Sequence, residues 1–373
     1  MIIKVVTVEN KSSIGDTMRI LIASSIDPEA IAKLREQHEV VCAFNASEEK
    51  FKSLIRDREV LICRSGVRIS AALMSCAPAL QLIIRAGSGT DNIDLDYVRR
   101  HGIRLERIPE PGAKAVAELT FALMLALARN LLNADRMLRQ GHFAKHELSG
   151  YSLRGKVLGI IGAGNIGAFV GEMGAAWGMK VLGCVENPSP EVAAELAGKG
   201  IQLTDCDEVV AKADFLSLHV PLTNATRNMI NAEVFSRMKS GSYLINLARG
   251  GVVDEAALHQ ALTEGKTLRG AALDVHQVEK EGHISPLAAL PNVVLTPHIG
   301  AQTIEAQREI GGRILEIMDS MAAYKFVHET KPSPVSTKFF PARVESVLRA
   351  TGRHCHFTET IELNLNAIKC FAF

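Results

Sequence analysis

From residue 18 onward, short runs of Val, Ile and Leu alternate with stretches whose apolar residues recur every three or four positions, the pattern of β-α units feeding a parallel sheet. Strands are predicted at 18–23, 40–44, 60–64, 80–86 and 103–108. Helices fall between them at 28–37, where Asp27 caps and Pro28 takes the first position, at 48–56 and at 94–100, with a weaker one before Leu80. These units make one open α/β domain. The span 115–140 is almost free of helix breakers, and Leu119, Phe121, Leu123, Met124, Leu127 and Leu131 put apolar side chains on most of its surface. Such a helix has to be buried, as a core helix between domains or as half of a subunit interface. A second series follows, with strands at 157–161, 180–185, 215–219, 243–247, 270–275 and 293–296 and helices at 166–177, 190–199, 232–238 and 254–263. That is a six-stranded doubly wound domain. The amphipathic stretch 300–323 is expected to pack back on the first domain. The fold class is therefore α/β, two doubly wound parallel-sheet domains with a cleft between them.

Both ends fall outside this pattern. Residues 1–17 read as an extension, and the period is lost past about Lys325, where Lys331-Pro332-Ser333-Pro334 breaks any regular element, so 326–373 reads as a weakly folded tail. His354-Cys355-His356 is not taken as a metal site, because three consecutive residues do not converge on one ion.

Composition narrows the partner. With 42 Lys+Arg against 41 Asp+Glu, the charge total speaks for neither nucleic acid nor an acidic membrane surface, which leaves a small molecule. Seven cysteines without a C-x-x-C pair read as reduced thiols of a cytoplasmic protein. The longest uninterrupted apolar run, 121–128, is far below the roughly 18 residues of a membrane span, and no signal-peptide organisation is seen.

Chemistry is carried by glycine placement and by strand ends. Gly162-Ala163-Gly164-Asn165-Ile166-Gly167 follows a predicted strand and opens a predicted helix, the context a dinucleotide fingerprint requires. Gly162 serves the tight turn, Gly164 the approach of the pyrophosphate and Gly167 close helix-strand packing. An acidic residue for the adenosine ribose is expected roughly 20 positions on. Glu186 is nearly there, although Val185 holds the strand-end position; no Lys or Arg lies between 181 and 191, which favours NAD over NADP without removing the latter. The segments 219–223, 246–251, 274–279 and 297–300 each follow a predicted strand, so Arg249, Asp274, Glu279 and His298 converge on the crevice at the strand ends. Arg offers a planar fork for a carboxylate and a keto oxygen, His a proton near neutral pH, and a carboxylate beside His holds its tautomer. Taken singly, Arg249 reads equally as a surface charge, Glu279 as part of the Glu279-Lys280-Glu281 run and His298 as a strand-end histidine.

Together, Gly162 to Gly167, His219-Val220-Pro221-Leu222-Thr223, Asn246 to Gly251, Leu273-Asp274-Val275 with Glu279, and Thr296 to Ala301 resemble the D-isomer-specific 2-hydroxyacid dehydrogenases over about 18–323. The resemblance implies a flavodoxin-like substrate domain of 18–117 plus 303–325, a Rossmann NAD domain of 118–302, and a homodimer formed through the helix at 115–140. It also implies roles: Arg249 on the substrate carboxylate and carbonyl, His298 in proton exchange, Glu279 orienting His298, and Asp274 toward the nicotinamide. Further cofactor contacts would come from Asn165, Ile166, Glu186, His219, Val220, Pro221, Thr226, Leu247, Ala248 and Ala301, and the amides of Ser88 and Gly89 in the loop 85–92 would hold the carboxylate. Arg64-Ser65, the Arg85 loop and 300–307 look most like the branch acting on 3-phosphoglycerate, where Arg64 and Arg85 meet a phosphate, unless they are structural ion pairs. The implied reaction is NAD-linked interconversion of a small 2-hydroxy acid and its 2-keto acid, with 3-phosphoglycerate first and hydroxypyruvate or glyoxylate second. A reading of another class is an NAD-sensing binding protein, since corepressors share the fold. Three positions depart from the family pattern: His276 stands for an aromatic residue, Lys280 for a proline and Val185 for an aspartate.

Overall fold

The structure, a computed structural model, describes residues 17–264 and 267–329, with side chains as far as 321. The expected extension and tail, with His354-Cys355-His356, lie outside the described residues apart from their inner ends. The first series runs β1 (Arg19–Ile22), α1 (Pro28–Gln37), β2 (Glu39–Cys42), α2 (Glu48–Leu54), β3 (Val60–Cys63), α3 (Ala71–Met74), β4 (Leu82–Arg85), α4 (Leu95–Arg100) and β5 (Arg104–Arg107). Its five strands pair in parallel in the order β2-β1-β3-β4-β5. Side-chain carboxylates start the helices as the sequence suggests: Asp27 accepts from the Ala30 amide and Asp94 from the Tyr97 amide.

Two helices follow, α5 (Glu110–Ala128) and α6 (Leu131–Arg139), and then the second series: β6 (Val157–Ile161), α7 (Asn165–Ala176), β7 (Lys180–Cys184), α8 (Pro190–Gly198), β8 (Ile201–Leu203), α9 (Cys206–Lys212), β9 (Phe215–Leu218), α10 (Ala232–Arg237), β10 (Ser242–Asn246), α11 (Glu255–Thr263), β11 (Leu268–Leu273) and β12 (Val293–Leu295), closed by α12 (Ile304–Glu329). The second sheet is also parallel, in the order β12-β11-β10-β9-β6-β7-β8. It has seven strands where six were expected. β8 is an edge strand of three residues, Ile-Gln-Leu, too short to register as a hydrophobic period, and α9 behind it was missed with it.

The long helix expected over 115–140 is two helices. Asn130 sits in the left-handed region at φ 51°, a conformation asparagine tolerates, and it ends α5 although no Gly or Pro marks the break. By length and composition α5 would suffice to cross a membrane. Its Phe121, Leu123, Met124 and Leu127 are instead packed with Leu158 and Ile160 of β6 and Val170 of α7 in one core, which accounts for that composition. Across the second sheet, a separate core joins Val209, Phe235 and Leu258 of α9, α10 and α11 to Leu216 and Leu244. The first sheet is likewise covered on both faces: Phe51, Leu73 and Val98 pack on one, and Ile310, Ile314 and Met318 of α12 on the other. A further correction concerns the thiols. Cys184 and Cys206, expected reduced, form a disulfide with Cα atoms 5.4 Å apart, tying the end of β7 to the start of α9. Cys42, Cys63 and Cys76 are free.

Candidate active site

Three neighbouring strand ends of the second sheet build one wall. The amide of Asp274 donates to the carbonyl of Asn246, and the amide of His298 donates to the carbonyl of Asp274, so the ends of β10, β11 and β12 are stitched in sequence (3.0 and 2.8 Å). The Asp274 carboxylate, 1% exposed, takes the Thr296 hydroxyl and the Ile299 amide on Oδ1 and the Gly300 amide on Oδ2, at 2.6, 2.9 and 2.8 Å. That clamp holds the turn on which His298 adopts φ 54°, in the left-handed region that a non-glycine residue rarely occupies. His298 Nδ1 then donates to Glu279 Oε2 at 2.8 Å. A carboxylate only accepts, so Nδ1 carries the hydrogen and Nε2 is left for a ligand. Burial pushes the Glu279 carboxyl up, but the hydrogen bond and charge of His298 and the His276 amide outweigh it, and its pKa lies below the usual carboxylate value.

Arg249 reaches from this wall to the first sheet. Its Nε donates to Asp91 Oδ1 at 2.9 Å and its Nη1 to the Ala248 carbonyl at 2.6 Å, and the guanidinium lies so close to Gly89 that a Cβ there would stand 1.7 Å from Nη2. Facing it are Arg64 and Arg85, at the ends of β3 and β4. Arg85 is 3% exposed, gives Nη1 to the Ala86 carbonyl, and keeps a buried Nε without a partner. Burial lowers its pKa to about 10 and lowers that of Arg64, while burial raises the Cys63 thiol beside Arg85 to about 11. Among the described residues no carboxylate forms an ion pair with Arg64 or Arg85.

Between the two walls lies a cavity of about 910 Å³. It brings together eleven of the expected residues: Arg64, Ser65, Arg85 and Ser88 from the first sheet, and Ile166, Leu247, Arg249, Asp274, Glu279, His298 and Ala301 from the second. The Gly162–Gly167 turn suits a dinucleotide. Gly162 has φ 91° and packs on the His219 carbonyl, Gly167 lies against the Gly162 carbonyl, and Gly164 opens α7 with clear space beside it and no side-chain cap. The first amides of α7, from Asn165 and Ile166, are therefore available to phosphate oxygens.

The family model for the D-isomer-specific 2-hydroxyacid dehydrogenase NAD-binding domain matches residues 121–300. Over 301 residues the chain is 38% identical to hydroxypyruvate reductase of Thermotoga maritima, covering 80% of this chain and 96% of that protein. The chain belongs to the D-isomer-specific 2-hydroxyacid dehydrogenases. It is also 40% identical, over 300 residues and 80% of its length, to D-3-phosphoglycerate dehydrogenase of Methanocaldococcus jannaschii, of which it spans 56%. Among solved structures, D-lactate dehydrogenase of Aquifex aeolicus with NAD and lactic acid superposes with a TM-score of 0.74 at 32% identity, over 83% of this chain and 96% of that one.

Within this dehydrogenase the other expected residues do not themselves line the cavity. Gly162, Val220 and the His219 carbonyl pack together at the dinucleotide turn. The Thr226 hydroxyl donates to the Pro221 carbonyl at 2.6 Å, closing the turn 221–226. Glu186 is exposed just past β7. Ala248 gives its amide to Asn246 Oδ1, and Asn246 Nδ2 donates to the Arg249 carbonyl, so Asn246 sets the turn that carries Arg249. Asn246, Asp91 and Asn92, whose Nδ2 bonds the Arg64 and Val67 carbonyls, were not assigned roles from the sequence. Their signal was available: each sits in a strand-end segment that also carries an arginine expected in the site.

Proposed function

We propose that this dehydrogenase interconverts a D-2-hydroxy acid and its 2-keto acid with NAD(H), and that its substrate carries a second anionic group, as 3-phosphoglycerate and 3-phosphohydroxypyruvate do. The observation behind the second anion is Arg85: a buried guanidinium on the cavity wall, next to Arg64, neither forming an ion pair with a carboxylate among the described residues. A buried charge without a partner is costly unless a ligand supplies one. At the other end of the substrate, Arg249 takes the 2-carboxylate and the reacting oxygen, with the Ser88 and Gly89 amides beside it. His298 Nε2 accepts the hydroxyl proton on oxidation and returns it to the keto oxygen on reduction, and Glu279 holds the ring for both directions. When bound, NAD accepts or donates the hydride at the substrate carbon.

The cofactor domain is taken as 118–302 and the substrate domain as 18–117 plus 303–325, the second supported by Ile310, Ile314 and Met318 packing on the first sheet. Glu186 is assigned to the adenosine ribose and Asp274 to the wall beneath the nicotinamide. A homodimer is proposed through α5 and α6, on which Leu131, Leu132 and Leu138 are 58, 52 and 61% exposed; sedimentation at micromolar concentration giving only a monomer would remove it.

NADH oxidation with phosphohydroxypyruvate, hydroxypyruvate, glyoxylate and pyruvate, repeated with NADPH, tests the whole reading. Charge-assisted bonds of about 1.5–3 kcal/mol each predict a kcat/KM at least about tenfold higher for the phosphorylated acid. Equal values for phosphohydroxypyruvate and hydroxypyruvate would move the assignment to hydroxypyruvate reduction, the activity named for the T. maritima relative matched nearly end to end. No turnover with any acid would leave an NAD-binding protein.

A further inference from the structure

His276 stands where three loops meet. Its backbone amide donates to Glu279 Oε1 at 3.2 Å, on the carboxylate whose other oxygen holds His298. Its ring Nε2 lies 2.9 Å from the Thr296 carbonyl, two residues before His298, and because a carbonyl only accepts, Nε2 carries the hydrogen. Its own carbonyl is so close to Gly250, the neighbour of Arg249, that a Cβ there would stand 1.9 Å from the oxygen. One residue thus touches the turns that carry Arg249, Glu279 and His298. The Thr296 contact comes from the side chain, which the backbone of the loop does not provide.

We propose that His276 is a positioning residue: its ring N–H, bonded to the Thr296 carbonyl, sets the distance between the loop bearing Glu279 and the turn bearing His298. The proposal rests on the reading of Glu279 and His298 given above. Two links on the same loops support it. The Gln277 amide donates to Glu255 Oε1 at 2.6 Å, anchoring the Glu279 loop from its other side, and the Thr296 hydroxyl donates to Asp274 Oδ1, holding the Thr296 carbonyl within reach of the His276 ring. The Asp274 bonds tie these two segments at the base of the Glu279 loop, and the His276 ring adds a brace two residues nearer to Glu279. A ring of similar size without a donor keeps the volume and loses the brace. Glutamine, whose Nε2 can take the place of the ring Nε2, restores the donor.

The test uses the full chain. His276→Phe is expected to lower kcat about fivefold, from the loss of one hydrogen bond, with the keto-acid KM unchanged, and His276→Gln to restore kcat to within twofold. In ¹⁵N-histidine-labelled protein without substrate, the downfield Nδ1–H signal of His298 is expected to broaden or move upfield in the Phe variant and to return in the Gln variant. A Phe variant with both the parent kcat and the parent His298 signal overturns the proposal, as does a Gln variant that behaves like Phe. Should the Phe variant not fold, His276→Leu removes the donor in less volume and is read by the same two outcomes. If the His298 signal responds while no variant, nor the parent, turns over any keto acid, the brace stands and the proposed reaction falls.

Discussion

The two walls of the cleft solve opposite problems. On the second-sheet wall nearly every polar group is already matched inside the protein: Asp274 holds three donors, Asn246 bonds Ala248 and Arg249, and Glu279 holds His298. On the first-sheet wall, Arg64 and Arg85 are sunk into the protein and, among the described residues, form no ion pair; the charge of Asp91, itself paired with Arg249, acts on Arg85 only at longer range. The first arrangement fixes a geometry in advance, which is what proton transfer needs, since a donor out of place by an ångström loses most of its effect. The second leaves charge only partly compensated inside the protein, which favours selection of an anionic substrate over stability.

The largest expected effect tests the matched wall. His298→Ala should lower kcat by roughly 10² to 10⁴, as for loss of a general acid-base, while NADH binding measured by fluorescence stays within about twofold. A kcat near that of the parent would mean that the pre-set geometry serves something other than proton exchange.

Next comes a contrast of sign between the walls. Asp274→Ala leaves the part-buried Ile299 amide and the buried Gly300 amide without acceptors and should destabilise the fold by about 2–4 kcal/mol. Arg85→Met removes a buried charge that has no acid partner, and should leave stability unchanged or raise it by about 1–4 kcal/mol while KM for the phosphorylated acid rises at least about tenfold. Urea unfolding of both variants without ligand decides it. If Arg85→Met also destabilises by several kcal/mol, the guanidinium is structural and the contrast between the walls dissolves.

Much of this was legible in the chain because parallel sheets advertise themselves. Strands buried on both faces read as continuous Val, Ile and Leu runs, and the polar groups of the crevice follow at their ends, so Arg249, Glu279 and His298 could be placed on one wall without coordinates. The losses have physical reasons. Asn130 breaks a helix through a backbone conformation that no breaker residue signals, and the three residues of β8 hold a single apolar-polar-apolar alternation, too little to stand out from a loop. The Cys184–Cys206 pair is separated by 22 positions, and only the return of the chain beside β7 brings it together. Asp91, Asn92 and Asn246 act on neighbours' backbones and side chains, which a one-dimensional pattern does not display.

The smallest effect concerns a histidine that breaks the rule of the matched wall, as the buried Nδ1 of His276 also does. His219 is half-buried as a residue, yet its Nδ1 is shut off from water and without a partner, while Nε2 lies 2.8 Å from the Ser217 hydroxyl. Burial lowers its pKa to about 3, against roughly 6.5 in an unfolded chain. Arg85 and His219 therefore share a nitrogen without a partner, but only the histidine can escape the cost by giving up its proton. The sign follows from that escape. Above about pH 6.5 neither folded nor unfolded His219 is charged and nothing is lost; as the pH falls toward 3 the unfolded chain binds a proton that the folded one refuses, and stability declines by up to about 1.4 kcal/mol per pH unit. Urea unfolding of the ligand-free protein at pH 7 and pH 5 should show His219→Gln losing about 2 kcal/mol less than the parent over that interval. Equal losses would mean that His219 takes up its proton in the folded state, and the second-sheet wall would then hold a charge of its own beside the dinucleotide turn.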